Sequence, residues 1–357
     1  MRSRTGSGLL TLAIACGLLA AAPLPAMAQN SGSDKLKAIV GFPPGGGIDT
    51  VARLLFRHFA KHNGGVAPVI QNMPGAGSMV AINYTAARAP KDGSEITFDS
   101  GSPAIAQLTK QKNVRFDYAK LSIIGAMKGG TYLMFSRKAV IPGGLKQPTD
   151  ILKAKGAIFA GQNPRLVLDI YGRLALNLLG VDYKYVSGYR GAPARLLAIR
   201  RNEADIATLA LQGYRAAAEP RMVKNGHAVP LWYFAGEDAK GAPVPDKDIP
   251  DMPMFRDVYK KAKGKEPSGP VWQALQVMNR ISGKYLVIGP PDMNKDALDR
   301  LRKVFAKATA DPELRQEFKK VLGFELTPIP VADMEAIYAG FSKLDAGAVG
   351  EISKLMK

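Results

Sequence analysis

The most constraining feature of this sequence is a unit that recurs along it: a short apolar run, a loop of glycine and proline, then apolar residues at helical spacing. Its first copy runs from Ala38 to Phe59, AIVGFPPGGGIDTVARLLFRHF. The run Ala38 to Phe42 is stopped by Pro43-Pro44, passes through Gly45-Gly46-Gly47, and resumes as Ile48, Val51, Ala52, Leu55 and Phe59. Without Cβ atoms the loop admits close approach to its main chain, and the first N–H groups of the new helix have no partner inside it. Such a loop is a candidate seat for an anion. It would serve equally as a tight strand-to-helix connection. No Lys-Ser or Lys-Thr follows the glycines, and GGGIDT does not fit the dinucleotide fingerprint, so a nucleotide phosphate is not the expected occupant.

The pattern returns at Val66 to Gln71, where a strand leads through Asn72-Met73-Pro74-Gly75-Ala76-Gly77-Ser78 into a helix from Met79 to Arg88. Gly75-x-Gly77-x-x-Val80 approaches the dinucleotide pattern but lacks its third small residue. A third copy joins the strand Ser94 to Asp99 to a helix near Ala104 through Ser100, Gly101, Ser102 and Pro103. Serine before a helix is by default a cap. The argument for binding is joint placement: in an open parallel sheet the loops after the strands lie together and ligands enter the crevice between them.

Residues 121–137 supply two more apolar runs, and a capped helix is expected from Thr149 or Asp150. A second series follows. Strands are expected at 156–160, 183–186, 205–209 and 228–233, with loops at Gly161 to Pro164 and Ser187 to Gly191 leading into helices at 166–179 and 192–200. Residues 236–270, rich in Pro, Gly and charge, read as a long connection, although PVWQALQVMNRI is an amphipathic helix; helices end the chain. The expected architecture is α/β in two domains, 29–132 with 236–357 forming the first and 133–235 the second, the terminal helices packing back on the first. The chain would cross the hinge twice.

Arg2 and Arg4, the apolar run from Leu9 to Ala22 and the small-x-small site Ala26-Met27-Ala28 predict a secretory signal cleaved after Ala28. Cleavage would remove Cys16, the only cysteine, excluding disulfide and thiol chemistry from the mature chain. Lipid attachment at Cys16 is disfavoured, since Ala13-Ile14-Ala15 lacks the usual leucine. Loss of the two arginines takes the net charge from +19 to +17. The basic residues are dispersed without interleaved aromatics, which argues against a nucleic-acid partner.

His58 and His62 stand at the spacing of two zinc ligands, but Phe59 replaces the glutamate of HExxH and no third ligand is evident in the sequence, so no metal is expected. No GxSxG elbow exists, and no acid/base pair stands out; Asp49 reads as a favourable charge at a helix start. Tyr189 and Arg190 are either contacts for an anionic ligand or a solvated loop.

The order of these loops resembles the substrate-binding receptors of tripartite tricarboxylate transporters, extracytoplasmic solute-binding proteins often called Bug proteins. FPPGGGIDTVARLL is similar to that family's opening FPPGG-x-x-D-x-x-AR, QNMPGAGS to its N-R-PGAGG loop, KDGSEITF to its P-DGYTLL strand, and YRGAPA with NEADIA to its Y-KG-x-APA and G-x-VD-x regions. The C-terminal stretch from Leu286 to Leu326 is similar to its closing helix pair. The resemblance implies a type II periplasmic-binding-protein (Venus flytrap) body, a periplasmic location, no catalysis and no cofactor. It implies a monomer that captures a small organic acid, a di- or tricarboxylate or an aromatic carboxylate, and hands it to the membrane components of the transporter. Carried over by position, the ligand contacts would be Pro44, Gly45, Gly46, Gly47 and Asp49; Gly75, Ala76, Gly77 and Ser78; Ser100, Gly101 and Ser102; and, in the far domain, Tyr189, Arg190, Gly191 and Ala192. The chain departs from the pattern at Met73, where the family has arginine, and at Gly161 to Arg165, where a histidine is replaced and Arg165 is an added cation that would pair with a carboxylate or fill the cleft. Two other readings are an exported sensory protein for the same ligands and, disfavoured by export, an NAD-linked oxidoreductase using Gly75-x-Gly77.

Overall fold

The computed structural model describes residues 35–237 and 243–357; the expected leader, Cys16 included, lies outside them. The first sheet is laid down by β1 (Lys37–Val40), α1 (Gly47–His62), β2 (Val69–Asn72), α2 (Met79–Arg88), β3 (Glu95–Asp99), α3 (Pro103–Leu108) and β4 (Leu121–Lys128). The second takes β5 (Tyr132–Arg137), β6 (Ala157–Ala160), α4 (Val167–Leu179), β7 (Tyr183–Val186), α5 (Gly191–Arg200), β8 (Ile206–Ala210), the short α6 (Leu211–Gly213) and β9 (Ala228–Tyr233). Then follow β10 (Gly236–Glu237), β11 (Pro243–Val244), α7 (Phe255–Lys263), α8 (Pro270–Ile281), β12 (Lys284–Pro291), α9 (Lys295–Ala310), α10 (Pro312–Leu322), β13 (Pro328–Ile329), α11 (Val331–Ala339) and α12 (Ala346–Leu355).

Strand order is β13-β4-β12-β3-β1-β2 in one sheet and β7-β6-β8-β5-β9 in the other. Each keeps a parallel trio, β2-β1-β3 and β7-β6-β8, with an antiparallel strand inserted beside it, β12 or β5. Val40 pairs with Asn72 and with Phe98, so the three expected loops leave one edge of the first sheet together. Ala160 pairs with Val186, which does the same for the loops after β6 and β7.

The amphipathic stripe of α1 places Val51, Leu55, Phe56 and Phe59 on the first sheet, where Phe56 meets Phe98 edge-on at 6.0 Å and Phe98 stacks on Tyr285 at 5.7 Å. Each such buried aromatic contributes on the order of 1.5–3 kcal/mol relative to exposure.

Three expectations need correction. The stretch 236–270 is not a bare connection: it holds β10, β11 and α7, whose Phe255 packs on Trp232 at 5.3 Å. The helix expected from Thr149 is a 3₁₀ segment, Pro148–Lys153. Nor do all the later helices return to the first sheet. The apolar faces of α7, α8 and α12 join the core around α4 in the second, because Leu275, Met278 and Ile281 find their complement in Ile170, Leu174 and Ile352. Between β8 and β9 lies a feature with no sequence expectation, a π-helix at Tyr214–Val223 that accommodates Pro220.

The chain passes between the sheets at Gly129 to Thr131 and again at Ser282-Gly283, and, beyond the two crossings expected, returns once more after α11 to place α12 on the second; the first two passages touch, Gly129 N donating to the Gly283 carbonyl at 2.7 Å. A Cβ on Gly129 would stand 2.9 Å from that carbonyl, so only glycine fits. Buried Asp246 holds this crossing by accepting from Lys128 Nζ at 2.8 Å and from the Thr131 hydroxyl. Among the described residues no helix is long and apolar enough to cross a membrane.

Candidate functional site

The glycine loop is held from beneath by Asp49. This carboxylate is 1% exposed. It accepts from Gly45 N at 2.9 Å, Arg53 Nε at 2.7 Å and Asn72 Nδ2 at 2.7 Å, while Asn72 also donates to the Phe42 carbonyl. Burial alone would raise its pKa, yet the donors from Arg53, Asn72 and Gly45 outweigh it and hold the carboxyl below its usual value. Asp49, expected among the ligand contacts, is thus consumed in shaping the loop. With it buried, Gly46 at the start of α1 has no side-chain cap. At Gly45 and Gly47 nothing lies within 4 Å of where a Cβ would stand, so the main chain there borders open space.

In the second loop Gly75, Ala76, Gly77 and Ser78 all take positive φ, at 151°, 46°, 66° and 79°. For Ala76 and Ser78 that costs on the order of 1 kcal/mol or more each, a strain that gathers at binding sites. Ala76 and Gly77 face solvent, but Ser78 does not: its hydroxyl packs over Gly41, where a Cβ would come within 1.9 Å of it. In the third loop the Ser100 hydroxyl donates to Ser102 Oγ at 2.9 Å, and Gly101 N donates to buried Asp99. Burial pushes the Asp99 carboxyl up, against the hydrogen bonds from Tyr118 and from the Gly101 and Ser100 main chain. A Cβ on Gly101 would meet the Ile281 carbonyl at 2.9 Å, so this glycine belongs to the crossing as much as to the loop.

At the second sheet Gly161 to Arg165 and Ser187 to Gly191 are tied together: Tyr189 N donates to the Gly161 carbonyl at 3.0 Å and Gly191 N to Gln162 Oε1 at 2.9 Å. Arg190 and Gly191 are exposed; Tyr189 and Ala192 are half-buried. The Arg165 side chain reaches toward the Met356 carbonyl beyond α12. Beneath this pair of loops lies a second aspartate. Asp169 accepts from Gln162 N at 2.6 Å, Asn163 N at 2.8 Å, Tyr185 OH at 2.9 Å and Arg195 Nη2 at 2.9 Å. Among the described residues no hydrogen bond joins the loops of one sheet to those of the other.

No family model and no curated protein matches this sequence. Solved structures do match. The chain superposes on MatC from Rhodopseudomonas palustris with bound malate at a TM-score of 0.61 and 18% identity, covering 90% of this chain and 99% of that one. For the periplasmic binding protein BugD the values are 0.60, 20%, 90% and 96%. For an R. palustris protein solved with adipate they are 0.61, 16%, 88% and 97%. The fold is that of periplasmic solute-binding proteins.

Within this binding-protein fold the two clamps are counterparts that sequence reasoning missed. Gly41-Phe42-Pro43-Pro44-Gly45-Gly46-Gly47-Ile48-Asp49 and Gly161-Gln162-Asn163-Pro164-Arg165-Leu166-Val167-Leu168-Asp169 share Gly, Pro and Asp at the same three places. Gly161, like Gly41, is glycine because a neighbour's side chain covers it: a Cβ would stand 2.1 Å from the Tyr185 ring. The repeated G-x-x-P-x-x-x-x-D was the available signal.

Helix starts divide in a related way. α1, α2 and α5, which open from the loops, have no side-chain cap, whereas Asn294, Asp311 and Asp345 cap α9, α10 and α12. α7, α8 and α11 are also uncapped, so a missing cap marks a site only where loops converge on it.

Proposed function

We propose that this chain belongs to the substrate-binding receptors of tripartite tricarboxylate transporters, works in the periplasm, and captures a small organic acid between its two lobes. The observation that carries the reading is the glycine loop at the uncapped start of α1, shaped by a buried Asp49 so that its main chain borders open space. A carboxylate placed there would accept N–H bonds worth roughly 1.5–3 kcal/mol each. Gly77 and Ala76 of the second loop and Ser102 of the third would contact it from the same edge, and Tyr189, Arg190 and Gly191 from the other lobe. A ligand bridging both sets favours the closed arrangement by its differential contacts, which is how such a receptor signals occupancy. Malate and adipate, carried by the two R. palustris structures, define the first ligands to try. Membrane components of the transporter would be the partners, and no reaction on the bound acid is part of this reading.

Calorimetric titration with malate, adipate and citrate should show one site. Gly47→Val is the discriminating variant: Gly47 has ordinary negative φ and free space, so the fold should survive while the new side chain fills the seat. Binding to the parent and loss of at least tenfold in Gly47→Val is the expected result. Unchanged affinity in a folded variant, or no binding of any acid by the parent, overturns the assignment.

A further inference from the structure

Asp49 and Asp169 each lean on an arginine, but a third aspartate beneath the loops has no cation. Asp99 ends β3 and is 0% exposed. Among the described residues it enters no ion pair, whereas Asp49 meets Arg53 at 2.7 Å and Asp169 meets Arg195 at 2.9 Å. Its Oδ2 is occupied: Tyr118 OH donates to it at 2.5 Å and Gly101 N at 2.9 Å. Its Oδ1 is buried and accepts from nothing. A carboxylate sealed from water without a counter-charge is so costly that the group takes up a proton instead.

That proton has one place to go. Oδ2 already receives two hydrogens, so the proton belongs on Oδ1, where an O–H is a donor in need of an acceptor. The Ser78 hydroxyl supplies one: it is buried, makes no hydrogen bond, and stands near enough to pull the Asp99 pKa down against the effect of burial. Tyr118 closes the other side, its ring 4.7 Å from that of Tyr338, whose hydroxyl is likewise buried and unpartnered.

We propose that Asp99 is a neutral carboxylic acid and the positioning residue of the first-lobe loops, its Oδ1–H donating to Ser78 Oγ in the second loop while Oδ2 accepts from Gly101 N in the third. Ser78 in turn lies over Gly41, where a Cβ would come within 1.9 Å of its hydroxyl, so one side chain reaches all three loops. The bond also holds Ser78 at its φ of 79°, a conformation that needs such support. Asp49 shapes its own loop by charge; Asp99 joins its neighbours by a proton. That the loops so joined seat an organic acid rests on the reading proposed above, whereas the proton and the tie do not.

The test uses the mature protein with no organic acid present. The infrared difference spectrum of parent minus Asp99→Asn at neutral pH should show the carbonyl stretch of a protonated carboxyl group. Amide hydrogen exchange reads the tie. Asp99→Ala should speed exchange at Gly101 and across residues 75–80 by about tenfold, the loss of one hydrogen bond. Asp99→Asn, whose amide replaces both the acceptor and the donor, should restore the parent rates. Ser78→Ala keeps the tie testable if Asp99→Ala does not fold, and should speed exchange across residues 75–80 alone. Malate or adipate affinity should follow the same order, Asp99→Asn staying near the parent and Asp99→Ala falling about tenfold. A parent that binds no acid overturns the preceding reading, and the infrared and exchange results then decide this one without it. A difference spectrum lacking the carboxyl band, or exchange across residues 75–80 equal in the parent and Ser78→Ala, overturns the proposal.

Discussion

The loop after β1 and the loop after β6 rest on aspartates at matching places, but the surroundings of the two differ. Asp49 is paired with an Arg53 whose side chain is 50% exposed, and that cation borders water. Asp169 is paired with Arg195, and the two side chains are 0% and 2% exposed. Burial pulls the Arg195 pKa down, against the pull of Asp169, whereas the bond to Asp49 pushes that of Arg53 up. One device thus serves as an adjustable support under the glycine loop and as a fixed one under the other. The glycine loop of the first lobe is backed by a clamp that water can relax; the loop after β6 is locked into the core.

The largest expected effect falls on the buried side. Asp169→Ala leaves the Arg195 guanidinium buried without its counter-charge and frees the Gln162 and Asn163 N–H groups, at a cost of about 3–5 kcal/mol in urea unfolding. Asp49→Ala should cost about 1–2 kcal/mol, since Arg53 can turn to water, while weakening acid binding by more than that stability loss suggests. Equal losses in the two variants would break the comparison. A pH series sharpens it. The Asp49 carboxyl is held below its ordinary value in the folded chain, so its contribution is complete above that ordinary value and is lost as pH falls through the lowered one. The stability gap between parent and Asp49→Asn should therefore be flat near neutrality and close in acid. The smallest effect belongs to Arg53→Ala, expected within about 1 kcal/mol because the pair is half solvated.

Much of this architecture was legible in the chain. Recurring strand, loop and helix patterns gave the parallel trios, and β7 and β9 coincide with the apolar runs read for them. The antiparallel insertion of β5 and β12 was not legible, because strand order is decided by where the chain crosses and local periodicity carries no trace of it. α7 was hidden by its charges: FRDVYKKAK shows only Phe255, Val258 and Tyr259 to the core. The π-helix at Tyr214–Val223 was hidden by Pro220, which signals a break in any α-helical reading. At the candidate site the exposed glycines could be found from composition, but the inward turn of Asp49 and Ser78 depends on Asn72 and Gly41 from other strands.

The contact between Gly129 and Gly283 has a consequence of another kind. Where two passages meet main chain to main chain, a twist imposed on one is handed to the other through a peptide hydrogen bond, while Asp246 braces the same crossing from the side. The pair behaves as a single torsion spring rather than two loose threads. Its stiffness is then shared between the peptide geometry of the two glycines and the Asp246 anchor beside them.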